Sequence, residues 1–382
     1  MLYSLQQREP RPAVAAARPL LRHLAGHKGT FPSSAVPAPL LGRWLVERGL
    51  APLAYAHFQD TWPALAQALQ AEAFATAAQS SLHFSRLQRI AAAFAEAELP
   101  VVLLKGAALA QCAYADPAQR SMADVDLWLP QAHMAEAISI MKALGFHHYG
   151  NGSRPLRLQL LAGGEVTFGD DHGGAVELHL APFPGWWVQR TAAVDTGAIW
   201  ERLQPIPGGP AQVATMRQMA VEDMVIHVTV HLAVNHQFAL FALRALLDIA
   251  LVAQACPVAW GTVARRARQW RLATAVWTAL SLLDQLVGVE GLQAALAPLR
   301  PSRPRRGLLT RLVTPGSLLT GVDIRHSRQR FLLLLLLVDR PRDMIRLIFR
   351  TLWPEAAWLA ARYQDNTGRR QHLWHVLRHG QV

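Results

Sequence analysis

VVLLKGAALAQCAYADPAQRSMADVDLWLP, residues 101–130, is the stretch whose reading decides the fold of this chain. Val101 to Leu104 form a short apolar run rich in β-formers that stops at Lys105-Gly106. Residues 107–114 favour helix, so the segment reads strand–turn–helix. A loop with Asp116-Pro117 leads to Asp124-Val125-Asp126-Leu127-Trp128-Leu129, which alternates with period two. In an extended strand this puts Val125, Leu127 and Leu129 on one face and Asp124, Asp126 and Trp128 on the other. Pro130 ends the strand, and 131–144 has the spacing of an amphipathic helix closed by Gly145.

Working outward, Glu165-Val166-Thr167-Phe168 is strand-like, Asp170-Asp171-His172-Gly173-Gly174 is a turn cluster, and 175–180 is a second alternating strand that puts Glu177 and His179 on one face. Pro182 and Pro184 terminate it. The block 100–185 is therefore an α+β unit with a small mixed sheet.

Two aspartates at i and i+2 on a strand can ligate the same divalent cation, and side by side they repel unless a cation or a proton intervenes. Magnesium, or manganese in its place, takes hard oxygen ligands and leaves positions for phosphate. If the two alternating strands are neighbours, Glu177 supplies a third carboxylate. An Asp-x-Asp pair alone is a weak signal, because strand ends carry such pairs as turn residues. Its force here comes from following a strand–Lys-Gly–helix unit, whose helix start offers backbone N–H groups to phosphate oxygens.

The apolar strand ending in Lys-Gly, the short helix, the Tyr-x-Asp-Pro loop, the arginine and the Asp-x-Asp-Leu strand resemble the signature of the uncharacterised nucleotidyltransferase-like family within the polymerase-β-type nucleotidyltransferase superfamily. The later Glu177-Leu178-His179 strand, HLAVNHQFALFALRALLDIA and FRTLWPEAAWLAARY are similar to its continuation, more loosely. The resemblance implies transfer of a nucleoside monophosphate from a nucleoside triphosphate to an acceptor hydroxyl. It implies a catalytic and metal-holding set of Asp124, Asp126 and Glu177. The nucleotide would lie against Lys105, Gly106, Ala107, Arg120 and His179. It further implies a small-molecule or peptide acceptor, in natural-product or polysaccharide biosynthesis. One departure stands out: the superfamily has Gly-Ser after its first strand, and this chain reads Lys105-Gly106-Ala107-Ala108. Either Lys105 takes over as a point charge or triphosphate binding is altered or lost.

Each candidate has a plainer reading. Lys105 can cap its strand or pair with a carboxylate, and Arg120 can pair with Asp116 or Asp124. His179 can be a buried, hydrogen-bonded histidine. His227 and His231 have i, i+4 metal spacing but no zinc-protease glutamate, which makes them core or surface histidines. Asp248, in an apolar helix, is costly to bury unpaired and can meet Arg244 one turn away. Trp186-Trp187 can stack a base or pack between domains.

The flanks are helical. Residues 1–35, rich in Pro, Arg and Ala, are expected to be loosely ordered, and 36–99 helical. The α+β core is assigned to 100–210, a helical domain to 211–295, and a basic connector with terminal helices to 296–382. Within these, 219–236, 238–255, 260–287 and 331–363 show helical periodicity.

The net charge of +12 favours acidic partners. Only three lysines occur, so the charge is arginine, clustered at 265–271, 300–311 and 325–350. These clusters read as solvated faces and a linker, with a phosphate- or polyanion-binding surface as the alternative. Nucleic acid is thus an admissible partner but not the favoured one. Two cysteines without metal spacing suit a reducing compartment. The N-terminus does not read as a secretory leader, and the longest apolar run, 331–338, is far short of the roughly 20 residues a membrane span needs. The expected location is the cytoplasm. Two further functional classes stay open: a non-catalytic nucleotide-binding or accessory protein that keeps the fold, and an arginine-rich protein acting on nucleic acid or a membrane surface.

Overall fold

The apolar run after Pro100 and the Asp-x-Asp segment pair antiparallel in the computed structural model, which describes residues 11–27, 31, 36–149, 156–206, 216–239, 241–321, 325–363 and 368–379. Among these residues α1 (Arg11–Leu24), α2 (Ala38–Glu47), α3 (Ala51–Phe58) and the long α4 (Pro63–Glu96) precede the sheet. Then come β1 (Val102–Leu103), α5 (Lys105–Ala113), β2 (Asp124–Trp128), α6 (Met134–Ala143) and β3 (His147–His148). The short α7 (Leu156–Leu158) passes into a π-turn at Gln159–Gly163, followed by the hairpin strands β4 (Glu165–Gly169) and β5 (Ala175–His179). After α8 (Trp186–Thr191) and α9 (Thr196–Glu201), β6 (Gln204–Pro205) and β7 (Arg217–Gln218) close the sheet.

The seven strands are ordered β3-β4-β5-β2-β1-β7-β6, so β2 lies in the middle. It runs antiparallel to β1 and parallel to β5. The alternation of β2 is realised: Val125, Leu127 and Leu129 are fully buried on one face, and on the other Trp128 packs edge-on against Trp200 at 4.9 Å. The helix after it ends as expected. Gly145 takes a φ of 85°, and the N–H groups of Gly145 and Phe146 donate to the carbonyls of Lys142 and Met141, a left-handed stop that a side chain would strain.

The hairpin turn is tied to α4. The Asp170 carboxylate accepts from the backbone N–H groups of His172 and Gly174 and from the Arg86 guanidinium. The arginine hydrogen bond, against the opposing effect of burial, draws the Asp170 pKa down to about 2. Gly174 makes room for this: a Cβ there would sit 2.1 Å from Arg86 Nε. Gly174→Ala is expected to expel the guanidinium and destabilise the fold by about 1–3 kcal/mol, the usual cost of overpacking. Urea denaturation measures it, and an unchanged midpoint would refute the clamp.

The rest is helical: α10 (Val221–Val230) with a π-turn at His231–Asn235, α11 (Ala242–Ala255), α12 (Trp260–Gln269), α13 (Ala273–Leu286), α14 (Gln293–Leu299), α15 (Arg303–Leu312), α16 (Pro315–Thr320), α17 (Ser327–Leu336), α18 (Pro341–Leu352), α19 (Ala356–Tyr363) and α20 (Arg369–His379). Two sequence expectations change here. Part of the segment expected to be loosely ordered is α1, which buries Ala13, Ala17, Leu20, Leu21 and Leu24. Its apolar residues recur at helical spacing, and packing overrides the discouragement from Pro19. The expected connector at 296–325 contains α14, α15 and α16, where Pro at the first turns starts helices rather than breaking them. One continuous apolar cluster runs from Ala13 to Leu347. No described helix is long and apolar enough to cross a membrane.

Candidate active site

The parallel register of β2 and β5 sets Asp126 directly beside Glu177. The strand neighbourhood on which the carboxylate reading depended is therefore present. The antiparallel hairpin then sets Thr167 opposite Glu177 and Glu165 opposite His179. Carboxylate oxygens of Asp126 and Glu177 and a ring nitrogen of His179 lie within 4.8 Å of one another, the one group among the described residues compact enough to hold a metal ion. Asp124, two residues earlier on the same face, stands outside that group. Two members of the trio inferred from sequence, Asp126 and Glu177, are thus brought together with His179 beside them, and Asp124 neighbours them on the same face of β2.

The two cations of the centre are both committed. Lys105 Nζ donates to Asp126 Oδ1 at 2.6 Å and lies 4.0 Å from Glu177. Lys105 opens α5 with a φ of 42°, a left-handed conformation that costs a non-glycine residue on the order of 1–2 kcal/mol. His179 is fully buried, and its Nε2 reaches the same Asp126 oxygen at 2.8 Å and Glu177 Oε2 at 3.5 Å. Its Nδ1 has no hydrogen-bond partner, and Glu165 Oε2 is 3.7 Å away. The Thr167 hydroxyl donates to Glu177 Oε1 at 3.4 Å.

Burial and charge compete at every one of these groups. Burial alone would lower the Lys105 ammonium, but Asp126 and Glu177 hold it above its ordinary range. Burial and Lys105 both depress His179, yet the hydrogen bonds to Asp126 and Glu177 win and raise it to about 9, so it is an imidazolium at neutral pH. Burial works against the Asp126 carboxylate too, and Lys105 and His179 overcome it and hold its pKa well below the usual range. Asp124 lacks such partners: burial, then Asp126 and Glu177, push it up to about 7. Glu165 is raised in the same way, by burial and then Glu177. The cations in contact with Asp126 and Glu177 are Lys105 and His179, two against the four carboxylates Asp124, Asp126, Glu165 and Glu177. This excess of hard oxygen ligands over resident cations, with burial and mutual repulsion raising Asp124 and Glu165, fits a divalent ion held by Asp126 and Glu177 with Asp124 beside them.

The expected nucleotide contacts divide. Lys105, Gly106 and Arg120 line the cavity in front of the carboxylates. Ala107 does not: it lies on the core-facing side of α5 and is buried. His179 has no exposed surface and does not line the cavity: its Nε2 is held against Asp126 and Glu177, which do. Arg120 pairs with neither Asp116 nor Asp124. Its Nε and Nη2 make a bidentate pair with Asp248 at 2.9 and 2.8 Å, and the Tyr114 hydroxyl donates to the same carboxylate at 2.6 Å. Asp116 instead accepts from the Ala118 N–H. Arg244, the sequence neighbour expected for Asp248, hydrogen-bonds Ser121. Gly106 is required by this arrangement: a Cβ would meet Arg120 Nη1 at 2.8 Å.

Both tryptophans border the cavity: Trp187 is almost fully buried and donates to the Leu334 carbonyl of α17, and Trp186 lies under Arg190. His227 is a core histidine, and His231, one turn on, is partly buried at the cavity wall. Burial brings His227 down to about 3 and His231 well below its ordinary value, and His227 packs edge-on against Phe183 at 5.2 Å.

The cavity has a volume of about 1050 Å³, at the top of the ~300–1,000 Å³ span of small-molecule sites. Both π-turns reach it, through Gln159 and through His231 and Asn235. Sequence reading missed Glu165 and Thr167. A hairpin closing symmetrically about His172 would have put them opposite His179 and Glu177. It also missed Arg190 and Arg362, which line the same cavity together with Arg330 and Arg350 of the 325–350 arginine cluster.

No curated protein and no solved structure matches the chain. A family model described as an uncharacterised nucleotidyltransferase matches residues 34–288, about two thirds of the chain and all of the sheet. With Asp126 and Glu177 paired in the central strands of that segment, the chain belongs to this uncharacterised nucleotidyltransferase family.

Proposed function

We propose that this protein moves a nucleoside monophosphate from a nucleoside triphosphate to a hydroxyl on a small-molecule or peptide acceptor. The observation that carries the reading is the side-by-side pair Asp126 and Glu177, from parallel neighbouring strands, at the wall of a cavity large enough for two substrates. Magnesium held by these carboxylates and Asp124 would supply charge neutralisation for the triphosphate and activation of the attacking oxygen. His179 and Lys105 keep Asp126 ionised and oriented. The start of α5, with Lys105 and Gly106, offers backbone N–H groups and a positive charge to the phosphates. The acceptor oxygen bonds to the α-phosphorus as the bond to the oxygen bridging to the β-phosphate breaks. Pyrophosphate leaves with the electron pair, and the hydroxyl proton passes to the Asp124 carboxylate. Biosynthesis of a modified small molecule or peptide is the setting we assign to this reaction.

One observation favours a second reading, a nucleotide-binding or accessory protein without turnover. Lys105, the one phosphate contact offered in place of the superfamily's serine, is engaged with Asp126. Calorimetry with ATP, CTP, GTP and UTP in the presence of Mg²⁺, alongside pyrophosphate release with a library of hydroxyl acceptors, separates the two. Binding with release supports transfer, binding without release for any acceptor supports the accessory reading, and no binding removes both.

Magnesium binding is expected to depend on pH in a defined direction. Burial, then Asp126 and Glu177, raise Asp124 to about 7 in the folded chain, against an ordinary value of 3.8. Its contribution to folding is therefore fully present below pH 3.8 and is lost as pH rises through about 7, where its charge meets those of Asp126 and Glu177. A cation that needs the ionised form should bind up to about tenfold more weakly per pH unit below 7 and level off above it. Titration calorimetry from pH 5.5 to 8.5 measures this. A flat profile would exclude Asp124 from the ligand set.

A further inference from the structure

Helices α17 to α19 lie beyond the family-matched segment, yet they complete the cavity that holds the carboxylates. They bring Phe331, Arg350 and Trp358 to it, and α8 brings Trp186 and Arg190. Arg190 and Arg350 converge on one side chain, Glu355, whose carboxylate lies 3.6 Å from Arg190 and 3.2 Å from Arg350. Arg190 is 14% exposed and stacks on Trp186 at 5.6 Å. Burial lowers the Arg190 guanidinium, Glu355 opposes that, and Arg350 and Arg346 lower it further. Two arginines therefore share one carboxylate, which is about half exposed.

A Glu355 carboxylate between two cavity arginines is a stand-in for a ligand anion. The triphosphate already has a place for its charge, at the carboxylate-held ion and the start of α5. Arg190 and Arg350 come from helices that carry none of those carboxylates. The aromatic rings around them suit an apolar or aromatic portion next to the charge.

We propose that the cavity wall formed by α8 and α17 to α19 is the acceptor subsite, and that the acceptor carries a carboxylate or phosphate beside an aromatic or apolar portion. Arg190 and Arg350 bind its charge in place of Glu355, and Trp186, Phe331 and Trp358 receive the rest. As an acceptor assignment this rests on the nucleotidyl-transfer reading; as an anion site it stands without it.

Tryptophan fluorescence of the full chain, in EDTA and without nucleotide, tests the site with phenyl phosphate, benzoate and uncharged benzyl alcohol. At least one anion is expected to bind about tenfold or more tightly than the alcohol, and the preferred anion identifies phosphate or carboxylate. Arg350→Ala should weaken that binding by about tenfold while leaving ATP–Mg²⁺ affinity unchanged. Glu355→Gln, at a half-exposed position that does not endanger folding, should tighten it by roughly three- to tenfold by removing the internal competitor. Equal binding of the alcohol, no effect of Glu355→Gln, or an equal loss of ATP–Mg²⁺ affinity in Arg350→Ala would each overturn the proposal. Failure of the transfer reading has a different signature, anion binding as expected but no nucleotide binding with Mg²⁺.

Discussion

Asp126→Asn is expected to lower kcat/KM for nucleotidyl transfer by on the order of 10³-fold, the loss of several kcal/mol of charge stabilisation at the reacting phosphate. Asn keeps the shape and one acceptor oxygen for Lys105 Nζ and His179 Nε2, which both now bond Asp126 Oδ1. What disappears is the charge that holds the ion and keeps both partners protonated. The His179 pKa, raised to about 9 with Asp126 among its causes, should fall toward its ordinary range, and NMR of the imidazole reads this directly. A variant with full activity would exclude Asp126 from catalysis. A variant that loses activity but keeps the His179 shift would exclude the charge coupling. Asp126→Ala is the harsher version, because it strands two buried cations, so activity loss there must be read against its melting temperature.

Asp248→Ala carries the largest expected cost to folding, about 3–5 kcal/mol, as for any buried ion pair broken from one side. Asp248 is 1% exposed and Arg120 7%, and the carboxylate satisfies both the guanidinium and the Tyr114 hydroxyl. Removing it leaves a buried positive charge pressed against Gly106, at the start of the phosphate-facing helix. Replacing Arg120 and Asp248 together with apolar residues of similar volume should recover most of the loss, since the pair gains little over good packing. Chemical denaturation of the two single variants and the double variant gives the coupling. If Asp248→Ala costs less than about 1 kcal/mol, within the range of an exposed pair, the site is not the buried clamp described here.

These two expectations differ in how much of them could be seen without coordinates. The Asp126 assignment follows from a strand whose alternation and position after Lys105-Gly106 were legible, and the strand, hairpin and helix between 101 and 180 formed where local periodicity indicated. Arg120 was singled out from the sequence, but its partner was not. The residues near it in sequence, Asp116 and Asp124, were the natural choices, and the structure joins it to a carboxylate 128 residues away. The connector at 296–325 was misread for a related reason: its prolines and arginines look like a linker until one sees them start and flank helices that cover the core.

Residues 101–180 by themselves determined the mixed sheet, the face on which Asp124 and Asp126 lie, and the family, because period-two alternation and turn chemistry are properties of the local backbone. Only the tertiary structure decided that Glu177 and His179 close on Asp126, that Glu165 joins them, and that arginines from the C-terminal helices share their cavity. Which charges pair is set by which side chains are brought together in a poorly hydrated space, where a few ångströms change the interaction several-fold, and no spacing along the chain encodes that distance.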